Sequence, residues 1–314
     1  MRVVDELSVP AFPGERAVIT IGAYDGVHLG HQAVIGEVRR QAATIGARSV
    51  VVTFDRHPAS VVRPESAPKL LTDLDQKLEL LAATGVDATA VVHFDHEMSQ
   101  LAPLEFVQRV LVDCLRTSLV VVGDDFHFGH NREGNVSSLR EFGDRADFDV
   151  LRMSHRARND GTDEPISSTA IRRAMAGGQV ELAAAMLGRP FEARGIVRQG
   201  DQRGRQIGFP TANVEVASFI CLPADGVYAG WYRRPDGSAH MCAINLGRRP
   251  TFYEHADKSL LEAHLLDFDD DLYGEGAQVK FTDFLRSERK FDGIDALRNQ
   301  LKNDVDHARS VLTD

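Results

Sequence analysis

Three cysteines in 314 residues, none in a C-x-x-C pair, exclude a disulfide framework. Cys114, Cys221 and Cys242 read instead as buried thiols of a reducing cytosol. No apolar run approaches the roughly 20 residues that a membrane-spanning helix needs. Positive charge is in deficit: 36 Lys and Arg against 46 Asp and Glu leave a formal net charge of −10. That balance argues against nucleic acid as the main partner, because affinity there rests on neutralising phosphates. Small phosphate-bearing ligands stay open, since a local pocket can oppose the global sign. The opening MRVVDELSVPAFPGE is acidic and proline-interrupted, without the apolar core of a signal peptide. Internal repeats and low-complexity segments are missing too. What is there is a composition 43% hydrophobic and 26% charged, ordinary for a globular protein, and a length that suits two domains. The expectation is a cytoplasmic protein with small-molecule partners, no nucleic acid and no membrane, monomeric or weakly homo-oligomeric.

The most informative stretch is AVITIGAYDGVHLGHQ, Ala17 to Gln32. Ala17 to Ile21 reads as a short apolar strand, Gly22 breaks it, and a helix begins at Leu29. The loop therefore lies at the carboxyl end of a strand, where open α/β sheets bind ligands. Gly22, Gly26 and Gly30 allow close backbone approach or positive φ. His28 and His31, three apart at the helix start, face one bound group, and the helix N-terminus favours an anion. Neither a Walker loop nor a dinucleotide fingerprint fits the glycine spacing. A surface or core histidine pair and part of a metal site are the competing readings. The glycines and the strand-to-helix placement favour phosphate.

The first half alternates strand and helix signals. Strands are expected at Arg48 to Phe54, Ala88 to Phe94, Ser118 to Val122 and Phe148 to Met153, with helices at Leu74 to Ala83, Leu104 to Leu115 and Glu181 to Leu187. Continuous apolar strands separated by helices indicate a parallel sheet covered on both faces. After LGRPF the character changes to short aromatic and β-branched segments between turns, the pattern of an antiparallel barrel or sandwich. Helical spacing returns at Ile294 to Leu312. The boundary is expected near Gly188, dividing the chain into 1–187 and 188–314.

Three more clusters carry chemistry. In PISSTAIRR, Ser167, Ser168 and Thr169 can cap a helix that carries Arg172, together a second anion clamp. TFDRHP and VVGDDFHFGHNREG also follow strands, so Phe54, Phe126 and Phe128 are placed to stack on a ring system and Asp55, Asp124 and Asp125 to hydrogen-bond one, with core packing of the strand-end phenylalanines as the competing reading. In GDQRGRQIGFPTANVEV, Gly200, Gly204 and Gly208 precede Thr211 and Asn213, which alternate on one side of an extended segment. Their hard oxygens suit Mg²⁺ alongside phosphates and waters.

H-x-G-H after a strand, with I-S-S-T-x-x-R at the far end of the same half, resembles the nucleotidylyltransferase superfamily, in which the histidine pair holds ATP phosphates. G-F-P-T-A-N resembles the motif of riboflavin kinases, and DGVYAGW, INLGRRPTF, LEAHLLDFDDDLYG and FLRSERKFDG come after it in that family's order. The whole chain resembles the bacterial bifunctional riboflavin kinase/FMN adenylyltransferases. The resemblance implies an N-terminal Rossmann-like α/β/α domain and a C-terminal six-stranded antiparallel β-barrel followed by a helix. It implies Mg²⁺, and ATP, riboflavin, FMN and FAD as substrates and products. It also implies that Glu262 is the kinase base, that Thr211 and Asn213 hold the metal, and that Gly200, Gly204, Gly208, Phe209 and Arg286 line the kinase ATP and flavin site. For the adenylyl step it implies His28 and His31 as catalytic groups. Gly22, Asp25, Gly26, Gly30, Ser168, Thr169 and Arg172 then lie on the phosphates, and Phe54, His57, Pro58, Asp125 and Phe126 on FMN or adenine. The chain departs from the pattern at Arg56, Asp125 and His264. A different nucleotidylyltransferase with an appended barrel is the rival reading; a flavin-binding module without catalysis is the non-enzymatic one.

Overall fold

The computed structural model describes residues 1–154, 157, 161–200, 203–248 and 259–313. The end of INLGRRPTF and Asp201 and Gln202 of the glycine-rich loop lie outside the described residues. By contacts the chain divides into two compact units, Met1–Ser168 and Thr169–Asp314.

The first unit runs β1 (Arg2–Val4), β2 (Ala17–Ile21), α1 (Leu29–Ile45), β3 (Arg48–Phe54), α2 (Pro58–Val62), α3 (Leu74–Ala83) and β4 (Ala88–Val92). It continues through α4 (His96–Ser99), α5 (Pro103–Phe106), β5 (Thr117–Gly123), β6 (His127–Phe128), β7 (Gly134–Asn135), α6 (Val136–Ala146) and β8 (Asp149–Met153). Among the described residues a six-stranded sheet forms in the order β1-β4-β3-β2-β5-β8, with every pair parallel. Every residue of β2 and β4 is buried, as continuous apolar strands between helical layers require. The order reverses beside β2, so its carboxyl end opens onto a crevice.

Two elements differ from the sequence pattern. The expected helix Leu104 to Leu115 is α-helical only at α5, then π-helical over Val107–Cys114, with Leu115 N–H donating to the Val110 carbonyl. Val107, Val110, Leu111 and Cys114 still face the core, and over two turns apolar spacing does not separate the two helix types. The N-terminal segment, without a strand signal, supplies β1, which extends the sheet by pairing with β4.

The second unit begins with α7 (Ser168–Ala176) and α8 (Val180–Leu187), continues through β9 (Phe191–Arg198), α9 (Arg203–Gln206), β10 (Ala212–Val216), β11 (Gly226–Arg233), β12 (Ala239–Arg248), β13 (Ser259–Leu265) and β14 (Gly276–Arg286), and ends in α10 (Ile294–Thr313). The six strands close into an antiparallel barrel ordered β10-β13-β12-β11-β14-β9. Tyr228, Tyr232, Phe191 and Phe281 fill its core. The contact division falls after Ser168, the first residue of α7, earlier than Gly188. The Ala224 N–H donates to the Met175 carbonyl, and the Glu181 carboxylate accepts the Phe284 N–H at 2.8 Å. Gly188 ends α8 in the left-handed region.

The barrel turns its corner at β11, where its register with β14 shifts twice, between Val227 and Tyr228 and between Ala229 and Gly230. A Cβ at Gly230 would overlap the Lys280 carbonyl and press on Ile244. Gly230→Ala is therefore expected to destabilise this unit by about 1–3 kcal/mol, read as an earlier unfolding midpoint in denaturant.

Candidate active sites

In the first unit, β2 ends at Ile21 and the chain enters a loop with Tyr24, Gly26 and Val27 all at positive φ (50°, 81° and 39°). For tyrosine and β-branched valine this conformation is strained. The loop is fixed from outside. Asp25, 5% exposed, accepts the Leu71 N–H at 2.9 Å and the Thr72 N–H at 3.1 Å. Thr72 Oγ1 accepts the Gly26 N–H, Ser168 Oγ donates to the Asp25 carbonyl at 3.0 Å, and Tyr24 and Thr20 share a 2.6 Å hydroxyl contact. Asp25, expected on the phosphates, thus also ties this loop to the Leu71–Thr72 backbone.

His28 is the N-cap of α1, its Nδ1 accepting the His31 N–H, which places the ring proton on Nε2. The His28 and His31 rings stack with centroids 3.5 Å apart and planes 16° apart. Gly30 makes room, since a Cβ there would lie 3.1 Å from the His28 ring. Burial, then His28, then Lys77 push the His31 pKa well below its ordinary value, so the stacked pair contains a neutral imidazole at pH 7. His31 Nδ1 is buried without a hydrogen-bond partner.

Around this loop, His57 caps α2 by accepting the Ala59 N–H, with Pro58 in the first turn. Asp55 pairs with Arg56 and with His93 at 2.8 Å. Phe54 meets Phe94 edge-on, and half-buried Phe126 stacks on Phe128. Phe128 itself belongs to the core, and exposed Asp124 pairs with Arg152. Asp125 is exposed. Thr169 and Arg172 lie on α7, in the second unit. Missed entirely was Lys77, whose ammonium donates to the carbonyls of Phe54 (2.7 Å) and Ala23 (3.3 Å).

In the second unit, Gly204, Phe209, Thr211, Asn213, Glu262 and Arg286 line one cavity of about 430 Å³. Strand register explains the convergence. Asn213 on β10 faces Glu262 on β13, which faces Asn245 on β12, which faces Val227 on β11, which faces Arg286 on β14. Directly opposed residues in antiparallel strands share a sheet face, so this row across five strands forms one wall. Gly200 is backed against the Asn213 amide, where a Cβ would collide. Gly208 has φ 88°. His264 Nδ1 contacts the Pro210 carbonyl at 2.7 Å and its ring meets Phe209, fastening the G-F-P-T segment to β13. Asn213 Oδ1 is buried without a hydrogen-bond partner.

The Arg286 guanidinium is held by Asp304 of α10, 4% exposed, through bonds of 2.9 and 2.7 Å. Gln300 adds a third donor to that carboxylate. The pair fastens α10 so that Leu297, Leu301 and Val305 supply the apolar side of the cavity.

Comparison with known proteins finds one family in each half of the chain. Residues 13–170 match the family FAD synthetase and residues 187–312 the family riboflavin kinase. A Listeria monocytogenes protein named bifunctional riboflavin kinase/FMN adenylyltransferase is 39% identical over 297 residues, covering 94% of this chain and 92% of its own. The chain belongs to the bifunctional riboflavin kinase/FMN adenylyltransferase family. An Escherichia coli protein of the same name is 38% identical over 96% of this chain and 94% of its own. A solved structure entitled Macrolide-efflux Protein, from Streptococcus pneumoniae, shares the fold at 28% identity and TM-score 0.86 over 98% of each chain. Among the described residues of the present chain no helix is long and apolar enough to cross a membrane.

In the riboflavin kinase part, the cavity brings together Thr211, Asn213, Glu262 and Arg286, expected from the sequence, with Asn245 and Asp304, which the sequence did not single out. Arg286→Met/Asp304→Leu replaces the buried pair with apolar groups, whereas Asp304→Ala strands the arginine. Asp304→Ala is expected to cost about 3–5 kcal/mol of unfolding free energy, most of it recovered in the double variant. Denaturant melts of the three proteins check this.

Proposed function

We propose that the His28–His31 loop is the FMN adenylyltransferase site and that the barrel cavity is the riboflavin kinase site. One observation carries the reading: each family segment contains its own converging cluster of polar groups suited to phosphate. The enzyme converts riboflavin and ATP to FMN and ADP, then FMN and ATP to FAD and pyrophosphate. We place it in the cytoplasm, as a monomer or weak homo-oligomer working on small molecules.

The two steps ask different things of their sites. In the kinase step the nucleophile is a neutral hydroxyl of riboflavin's ribityl chain, so a general base helps. Glu262 sits centrally in the polar row, with Asn213 on one side and Asn245 on the other. Thr211 and Asn213 fit Mg²⁺: both offer hard oxygen, and the Asn213 oxygen is buried with no hydrogen bond to satisfy it. When bound there the ion neutralises charge on the ATP phosphates. Arg286, committed to Asp304, shapes the cavity wall. Gly204, Gly208 and Phe209 form the loop over it.

In the adenylyl step the FMN phosphate is already an anion at pH 7, so no base is needed. The chain must bind the triphosphate and stabilise charge on the α-phosphate and the departing pyrophosphate. His28 presents Nε2–H, and the start of α1 adds its partial positive charge. Gly22 and Gly26 keep the backbone close, and Ser168 ties the loop. Thr169 and Arg172 are assigned to the phosphates. Phe54, His57, Pro58, Asp125 and Phe126 are assigned to FMN or adenine.

Two measurements separate the sites. Thr211→Ala or Asn213→Ala is expected to abolish FMN formation while FAD synthesis from supplied FMN persists; equal loss of both with the fold intact by circular dichroism would contradict the assignment. The double change His28→Ala/His31→Ala is expected to lower FAD formation from saturating FMN and MgATP by ~10²–10³, with riboflavin phosphorylation nearly unchanged. Near-normal FAD turnover would refute the placement of the adenylyl site.

A further inference from the structure

We propose that Lys77 is a positioning residue of the adenylyl-transfer site, clamping the carboxyl ends of β2 and β3 through the carbonyls of Ala23 and Phe54. The proposal rests on the reading that the His28–His31 loop is that site.

The geometry begins with the sheet edge. Where parallel strands end, their last carbonyls lose ladder partners and must find donors elsewhere. Ala23 lies just past β2 and Phe54 ends β3, and one buried ammonium reaches both, at 3.3 and 2.7 Å. Thr53 Oγ1 also donates to the Ala23 carbonyl, at 3.1 Å. Lys77 stands on α3, in the stretch Leu71–Lys77 that also receives Asp25 and Gly26 through Leu71 and Thr72. The strained loop is thus fastened to one neighbouring segment at three points. Two are neutral or carboxylate contacts to backbone; the third is a charge.

That charge has company from every side. Asp25 faces it from the β2 loop, Asp55, Arg56 and His57 from the β3 loop, and Asp73 from the start of its own helix, all around one small cavity. His31 of α1 feels it as well. Burial pushes the Lys77 pKa down to about 8, with Asp25 and Asp55 partly opposing the shift. Below that pH the ammonium makes charge-assisted bonds to both carbonyls, roughly twice as strong as neutral ones. It also opposes protonation of His31. Above it, the amine keeps the contacts but loses the charge. The clamp therefore acts on the loop that positions His28 and His31 and on the segment that starts with Phe54.

The test is the pH profile of FAD formation in the full chain, as kcat/KM for MgATP, which reports the free enzyme. Riboflavin phosphorylation in the same samples controls for MgATP and flavin. Wild type is expected to lose activity above a midpoint near pH 8. Lys77→Met is expected to be about 10-fold slower at pH 7.5 and to lack that limb. Lys77→Arg, which does not titrate in this range, is expected to retain activity and hold it beyond pH 9. A Lys77→Met enzyme with wild-type rate, or with the same limb, overturns the proposal. If Lys77→Met fails to fold by circular dichroism, Lys77→Arg decides alone: a limb at the unchanged pH overturns the clamp, and its disappearance supports it. Failure of the underlying site reading would show separately, as unimpaired FAD formation in His28→Ala/His31→Ala.

Discussion

A loop with three left-handed residues in four positions cannot hold its own shape, and the buried carboxylate of Asp25 holds this one. Each such non-glycine residue costs of order 1–3 kcal/mol, so Tyr24 and Val27 persist only because their surroundings over-determine them. Asp25 supplies that constraint by taking two backbone amides from Leu71 and Thr72. The histidine pair depends on it. The loop delivers His28 to the N-cap of α1, the cap orients its imidazole, and His31 stacks on the ring from the first turn. The strain is local to the loop proposed as the adenylyl site, and its restraint keeps that loop in one conformation before substrate arrives.

The barrel solves the same problem by another route. Its polar row is a consequence of register, with Asn213, Glu262, Asn245, Val227 and Arg286 opposed strand by strand. A slip of one residue would turn every member to the other face. The bulges of β11 against β14 stand beside Val227, where the row crosses to Arg286. The Arg286–Asp304 pair then carries the order from the sheet to α10. One site is thus held by a clamped loop, the other by strand pairing and one buried ion pair.

These differences decide what could be read from the chain. Local patterns were legible: β2, α1, α3 and α10 emerge from apolar spacing and caps, and His28, His31, Thr211 and Asn213 from glycine-rich segments beside strands. Residues that act across the fold were not. Lys77 looks like any helix-surface lysine until α3 is seen to turn it beneath two carbonyls. Asn245 is one polar residue in an apolar strand, informative only once it stands opposite Glu262. Asp304 sits in a polar helix whose inward face is set by barrel closure. Asp25 was singled out for the ligand, and spacing alone does not reveal that its carboxylate also holds the backbone at Leu71 and Thr72.

Under the proposed assignment, the electrostatics of the two clusters match the protonation states of the two nucleophiles. The kinase step must remove a proton, and the barrel cavity proposed for it places the Glu262 carboxylate between the amides of Asn213 and Asn245, with partly buried Arg286 paired to Asp304. The adenylyl site starts from an anion, and a base there would serve nothing. Its histidines are accordingly arranged against protonation: His31 is kept neutral by burial, by the ring stacked on it and by Lys77. A stacked pair at 3.5 Å would be split by two like charges. Positive charge near them comes instead from the start of α1 and from the Lys77 ammonium, bonded to the Ala23 and Phe54 carbonyls.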